Sequence, residues 1–279
     1  MDARDFIVKA RAIWDPRCVQ LLRERATARY AQKVVPRFVD GTRIRFPEIE
    51  ISLGLRISVK SRRIRGRSLL EMIYDRETQE RAQDIALIAL RALEGADTVP
   101  ASFVVFGIAY RLARSLKTPL GERLGVSILS SEQRAKLNRL MLSYVQPGRG
   151  QTKVLVHGDL HAGNLVVNSE EGVLGVIDLE MMHLGRPVTN FAQLWVSFYF
   201  AAPELGRRFY CQYVEEHSGT LDKRFDRDAQ AEVAVCCLSL IREARRSAHV
   251  ELEEKAHALL GNVLGSGSFK DVVLSCHCV

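Results

Sequence analysis

The segment HGDLHAGNLVV, His157 to Val167, followed by VIDLE at Val176 to Glu180, constrains this chain more than any other part of it. Short apolar runs (VLV, LVV and VLGVI) read as strands. The polar residues between them read as a tight loop and an acidic turn. Asp159, Asn164 and Asp178 therefore sit on or beside strand ends. That arrangement can hold one carboxylate near an attacking hydroxyl and two oxygen ligands near Mg2+, which is what phosphoryl transfer needs.

A chain of 279 residues can bury a real core, and two lobes suit it better than one compact unit. No apolar run approaches the length of a membrane span, and AVAVCCLSLI near Ala234 reads as a buried helix. The start, MDARDFIVKAR, lacks the order of a signal peptide. With no export signal, the six cysteines, which have no framework spacing, imply reduced thiols and a cytoplasmic setting. A net charge of +7 is compatible with polyphosphate ligands or an acidic partner and does not demand nucleic acid. The densest basic run (Arg56, Lys60, Arg62, Arg63, Arg65, Arg67) reads first as a solvated strand and turn.

Along the chain, Phe6 to Arg11 reads as a strand, and a helix runs from about Pro16 to Gln32 with Asp15 as N-cap. Asp40-Gly41 marks a turn. IEISLGLRISVKS is strand-like, Gly66 breaks the chain, and a helical pattern begins at about Ser68. Ser130 with Gln133 three residues on is a capping box that opens a helix toward Tyr144. The reading is a strand-rich N-lobe over 1–65, a helical C-lobe with the catalytic loop over 66–261, and a tail over 262–279.

HGDLHAGN followed by IDLE resembles the signature of the aminoglycoside phosphotransferase and choline kinase family. The likeness covers essentially the whole chain. It implies the α+β protein-kinase-like fold, with a small antiparallel-sheet N-lobe and a larger, mostly helical C-lobe. It also implies MgATP, or GTP, as phosphoryl donor and a small hydroxyl-bearing molecule as acceptor. On this resemblance Asp159 is the catalytic aspartate and His157 serves loop geometry. Asn164 and Asp178 are then the Mg2+ ligands. His161 is structural or substrate-side, and Glu180 is a second-metal or a structural carboxylate.

The same resemblance places Lys9 as the phosphate-holding lysine and Glu24 as its partner on the next helix. Lys60 to Arg62 becomes the hinge, whose backbone would bind adenine. Asn190 stands where an aspartate is usual, which keeps an acceptor oxygen and loses the charge. Kinases of this shape begin with a glycine-rich loop, yet here the first Gly is Gly41. The stretch LGSGSFKDVVL near the C-terminus looks like that loop, with Gly265, Gly267 and Phe269 in its key positions. Three readings stay open for it: a circular permutation, a piece serving a lost second domain or a second protomer, and an accidental likeness. Cys276-His277-Cys278 has no convincing second ligand pair for a metal.

The leading expectation is an ATP-dependent small-molecule kinase. A protein Ser/Thr kinase fits less well, because no DFG or APE-like segment is present. A catalytically silent nucleotide-binding relative or truncated fragment is the remaining alternative.

Overall fold

A computed structural model of the chain describes residues 6–12, 18–53, 56–96, 129–145, 153–221 and 223–275. They fall into two units, Met1–Val104 with Lys153–Pro187 and Val105–Thr152 with Val188–Val279. Residues 66–96 and 153–187 group with the described part of the first 65 residues. Asp15 and Pro16, offered as a helix start, and Cys276-His277-Cys278 lie outside the described residues.

In the first unit, strand β1 (Phe6–Ala12) is followed by helix α1 (Cys18–Val34), close to the expected span. Strands β2 (Phe38–Val39) and β3 (Thr42–Arg45) form a hairpin across Asp40 and Gly41. Both turn residues have positive φ, 47° and 75°, the two-residue turn whose twist matches antiparallel strands. Strands β4 (Ile49–Leu53) and β5 (Arg56–Arg62) join β1 in an antiparallel sheet of order β1-β5-β4. After strand β6 (Arg67–Ser68), helix α2 (Leu69–Tyr74) opens on a reciprocal capping box between Ser68 and Glu71. Helix α3 (Gln79–Glu94) buries Ala82, Ile85, Ala86, Ala89, Leu90 and Leu93, an i, i+3, i+4 stripe.

The catalytic segment supplies β7 (Val154–Val156), β8 (Leu165–Asn168), β9 (Val173–Val176) and β10 (His183–Gly185). One sheet runs β2-β3-β9-β8-β6, and β10 pairs with β7 in a second. α3 packs against β7, β2, β3 and β9, which gives these short strands a common floor.

The hinge expectation for Lys60 to Arg62 does not hold. β5 is the central strand, so Lys60 faces Val8 on one side and Glu50 on the other. Arg62 N–H donates to Glu48 O at 2.9 Å. With a partner strand on each side, Lys60 and Ser61 have their backbone groups in the ladder and none left for adenine.

The second unit is helical throughout its described residues: α4 (Ser131–Val145), α5 (Pro187–Ala201), α6 (Pro203–Glu216), α7 (Phe225–Ser247), α8 (Val250–Gly265) and α9 (Phe269–Leu274). The Ser130–Gln133 capping box is present, with bonds of 3.0 and 3.2 Å. Phe191 lies at the centre of an aromatic core, stacked on Phe209 and in contact with Tyr210, Tyr213, Phe225 and Phe269.

Here the reading of the tail as a glycine-rich hairpin is overturned. Gly265 is the last residue of α8, Gly267 lies in the short connection, and Phe269 begins α9. Ser268 accepts from Asp271 N–H and caps α9. Gln230 Nε2 holds the connection by donating to Val263 O at 2.7 Å and Ser266 O at 3.0 Å. Phe269 is fully buried and meets the Trp195 ring edge-on at 4.8 Å. A helix cap and an aromatic pocket thus outweigh the G-x-G-x-F pattern. Where a circular permutation would require strands, the chain forms the end of α8, a short connection and α9.

Candidate active site

All the site residues on the catalytic segment and the Lys9–Glu24 pair belong to the first unit. β7 is entirely apolar and buried, and it delivers His157 into the interior at 0% exposure. His157 Nε2 lies 2.8 Å from Ile177 O, and Nδ1 accepts from Asp159 N–H at 3.3 Å. Those roles fix one neutral tautomer, with the proton on Nε2. Burial pushes the His157 pKa below its usual value, against the opposing pull of the Ile177 carbonyl and the charges of Asp159 and Asp178.

Gly158 makes the turn possible. Its φ is +86°, and a Cβ there would stand 2.4 Å from Met181 O. The pairing of β7 with β10 is what brings that carbonyl so close. Asp159 is held by its backbone on both sides: its N–H goes to His157, and its C=O accepts from His161 N–H and from Asn164 Nδ2 at 2.8 Å. Its side chain is exposed. A hydrogen-bonded main chain thus carries a solvent-facing carboxylate.

His161 caps the 3-10 turn Ala162–Asn164, accepting from Gly163 N–H at 3.1 Å. Asn164 is buried, and with Nδ2 committed to Asp159 O, its Oδ1 is the amide atom left for a cation. Ile177 N–H donates to Asn164 O at 3.0 Å, so Asn164 and Asp178 flank the same end of the β8–β9 hairpin. Asp178 adopts φ 59°, ψ 57°, the left-handed region that Asp tolerates better than most residues.

Across from it, Lys9 Nζ lies 3.1 Å from Glu24 Oε2 and 3.4 Å from Asp178 Oδ1. Burial lowers the Lys9 pKa, but the Glu24 and Asp178 carboxylates override it and leave it above the ordinary lysine value. Glu24 moves the other way in terms of charge: its burial raises its pKa by more than Lys9 brings it down. The cost of burying Glu24 offsets its attraction to Lys9, so the net stabilisation from the pair is small. Glu180 is also pushed up, first by burial and then by the charge of Asp178, with Lys9 opposing. A bound cation would reverse that balance.

Two residues that the sequence reading passed over fix this geometry. Arg23 Nη2 donates to Met182 O at 2.9 Å, and Thr27 Oγ1 lies 2.9 Å from Leu179 O. Both are buried on the face of α1 that carries Glu24. They clamp the helix to the turn that follows Asp178. The signal available in the sequence was three polar residues, Arg23, Glu24 and Thr27, at helical spacing on one face.

The donor set suits Mg2+. Asn164 and Asp178 offer oxygen only, and Mg2+ takes one or two protein ligands and completes its shell with water and phosphate. Among the described residues no three His, Cys, Asp or Glu side chains converge as a metal cage.

His157 carries a pH prediction. Its folded pKa lies below its unfolded one, so the folded state binds fewer protons in the interval between them. The stability it contributes is full above about pH 6.5 and is lost as the pH falls from there toward the folded value. Urea midpoints measured from pH 7.5 down to about 5.5 should fall more steeply for the parent than for His157→Gln. Parallel profiles would contradict a neutral, buried His157.

The sequence pattern of the phosphotransferase enzyme family matches residues 20–231. No curated protein sequence matches the chain. Among solved structures, a thermostable mutant of aminoglycoside phosphotransferase APH(4)-Ia, in ternary complex with AMP-PNP and hygromycin B, superposes with TM-score 0.60 at 15% identity, over 94% of this chain and 87% of that one. The GDP and kanamycin complex of APH(2")-IIia gives TM-score 0.61 at 15% identity, over 94% and 87%. APH(3'')-Id from Streptomyces rimosus, with ADP and streptomycin, gives TM-score 0.55 at 15% identity, over 84% and 87%. At such identities the likeness establishes the two-lobed α+β fold, a small sheet lobe with a helical one. The family match covers most of the sequence and includes Glu24 and the whole HGDLHAGN…IDLE segment, and by it this chain belongs to the phosphotransferase enzyme family.

Proposed function

We propose that the chain transfers the γ-phosphoryl group of MgATP to a hydroxyl of a small molecule. The observation that carries this is the exposed Asp159 carboxylate on a fully tethered backbone, in the unit that also holds the Lys9–Glu24–Asp178 cluster. Phosphoryl transfer needs positioning and charge neutralisation more than covalent help, and these residues offer both.

Asp159 accepts the hydrogen bond of the acceptor hydroxyl and takes its proton as the oxygen–phosphorus bond forms. The bond from the γ-phosphorus to the bridging oxygen breaks, and ADP leaves with that electron pair. His157 cannot compete as the base, because both ring nitrogens are engaged with the loop backbone. Asp178 and Asn164 would hold Mg2+, which supplies neutralising charge to the phosphates when bound. Lys9, aimed by Glu24, would hold the phosphates from the other side.

Aminoglycosides and other polyhydroxylated metabolites are the acceptors to try first, since the similar structures hold hygromycin B, kanamycin and streptomycin. GTP belongs in the same panel, because one of them holds GDP. Three described cysteines, Cys211, Cys236 and Cys237, are unbridged. No described helix is long and apolar enough to cross a membrane. The test is mass spectrometry of the acceptor panel after incubation with enzyme, Mg2+ and either nucleotide. One acceptor should gain a phosphoryl group in step with ADP or GDP release. Nucleotide hydrolysis without any acceptor product would count against an alcohol acceptor.

A further inference from the structure

Helix α1 has two faces of opposite character. Arg23, Glu24, Thr27 and Ala31 are buried on the inner face. Arg25, Arg29 and Lys33 follow one another at four-residue spacing on the outer one. With Ala26 and Tyr30 of the same helix and Ile51 of β4, they line a cavity of about 440 Å3. Among the described residues no carboxylate lines this cavity, and none makes a hydrogen bond or ion pair with any of the three cations. Arg25 Nε is buried without a hydrogen-bond partner.

Like charges at this spacing repel and weaken a helix. Only Lys33 lies in the last turn, where the helix dipole favours a cation. Arg25 and Arg29 have no such compensation, and a buried donor without an acceptor is costly. An anion in the cavity would relieve both.

We propose that this outer face of α1 binds a small polyphosphate anion, apart from the phosphoryl-transfer site. The row of cations extends about 12 Å along the helix, which matches an extended anion with several charges. The wall formed by Ala26, Ile51 and the Tyr30 ring lowers the local dielectric beside it and strengthens each charge contact. At about 440 Å3 this open depression has the size of a small-molecule seat. α1 would then carry Glu24, the partner of Lys9, on one face and an anion seat on the other.

Inorganic tripolyphosphate titrated calorimetrically in magnesium-free buffer tests this without any reliance on activity. Binding should appear in the parent. It should weaken about tenfold or more in Arg29→Gln/Lys33→Gln, and likewise on raising salt from roughly 50 to 200 mM. Arg29 and Lys33 are both exposed, so the variant should melt like the parent. Lys33→Glu alone is the second variant, and it should weaken binding in the same direction. Absence of binding, or equal binding in parent and variants, would overturn the proposal. So would tighter binding of a Glu-rich peptide through the same two residues, which would mark a polypeptide-docking face instead.

Discussion

Asp159→Asn should leave MgATP affinity close to that of the parent while turnover falls by about 100- to 10,000-fold, the range for loss of a general base. The exchange is nearly isosteric, and the carboxylate is exposed, so the loop has no reason to move. The bonds that hold this residue come from its backbone, to His157, His161 and Asn164, and all survive the substitution. Only the proton acceptor is removed. Steady-state kinetics with an identified acceptor, set beside nucleotide titration, separate the two effects. Parent-like turnover would remove Asp159 from the chemistry, and a matching loss of nucleotide affinity would show that it acts in binding instead.

Phe269→Ala should cost about 3–5 kcal/mol of stability in the helical unit, the usual range for deleting a buried aromatic ring. The ring is fully buried and lies within 4.8 Å of Trp195, 5.7 Å of Tyr210 and 6.2 Å of Phe191. Its loss leaves a cavity where helices α5, α6 and α9 meet. Chemical denaturation of the variant measures this directly. A glycine-rich-loop residue would behave in the opposite way: its truncation would weaken nucleotide binding and leave stability nearly unchanged. The same reasoning predicts that stopping the chain after Asn262 destabilises the helical unit.

The catalytic segment was legible because its residues are set by chemistry and by strands at once. VLV, LVV and VLGVI alternate with polar residues at short range, so the loop and its acidic turn could be placed without knowledge of the rest. Ser130 and Asp40-Gly41 were equally readable as a cap and a turn, since each acts through its own neighbours. The tail was misread for the converse reason. GSGSF is compatible with a phosphate loop, and what decides it is the distant aromatic pocket around Phe191 and the reach of Gln230 across to Val263 and Ser266. Neither has a local signature. Lys60 to Arg62 failed as a hinge because a strand's position within its sheet is fixed by partners far along the chain, here Phe6 to Val8 and Glu48 to Glu50. Arg23 and Thr27 went unnoticed because their carbonyl partners, Met182 and Leu179, carry no side-chain mark in the sequence.

Asp178 joins the two halves of the functional proposal, because it touches Lys9 and ends the hairpin that begins at Asn164. Asn is the replacement that keeps its left-handed backbone comfortable while removing the charge. The decisive measurement is the melting temperature of parent and Asp178→Asn with ATP, in the presence and absence of Mg2+. At about a hundred times its dissociation constant a ligand adds roughly 2.7 kcal/mol, so the parent should gain several degrees with MgATP and much less with ATP alone. Asp178→Asn should lose the magnesium-dependent part of that gain. A parent that gains nothing from MgATP, or a variant that gains as much as the parent, would contradict the account of this site as a magnesium-nucleotide phosphotransfer centre.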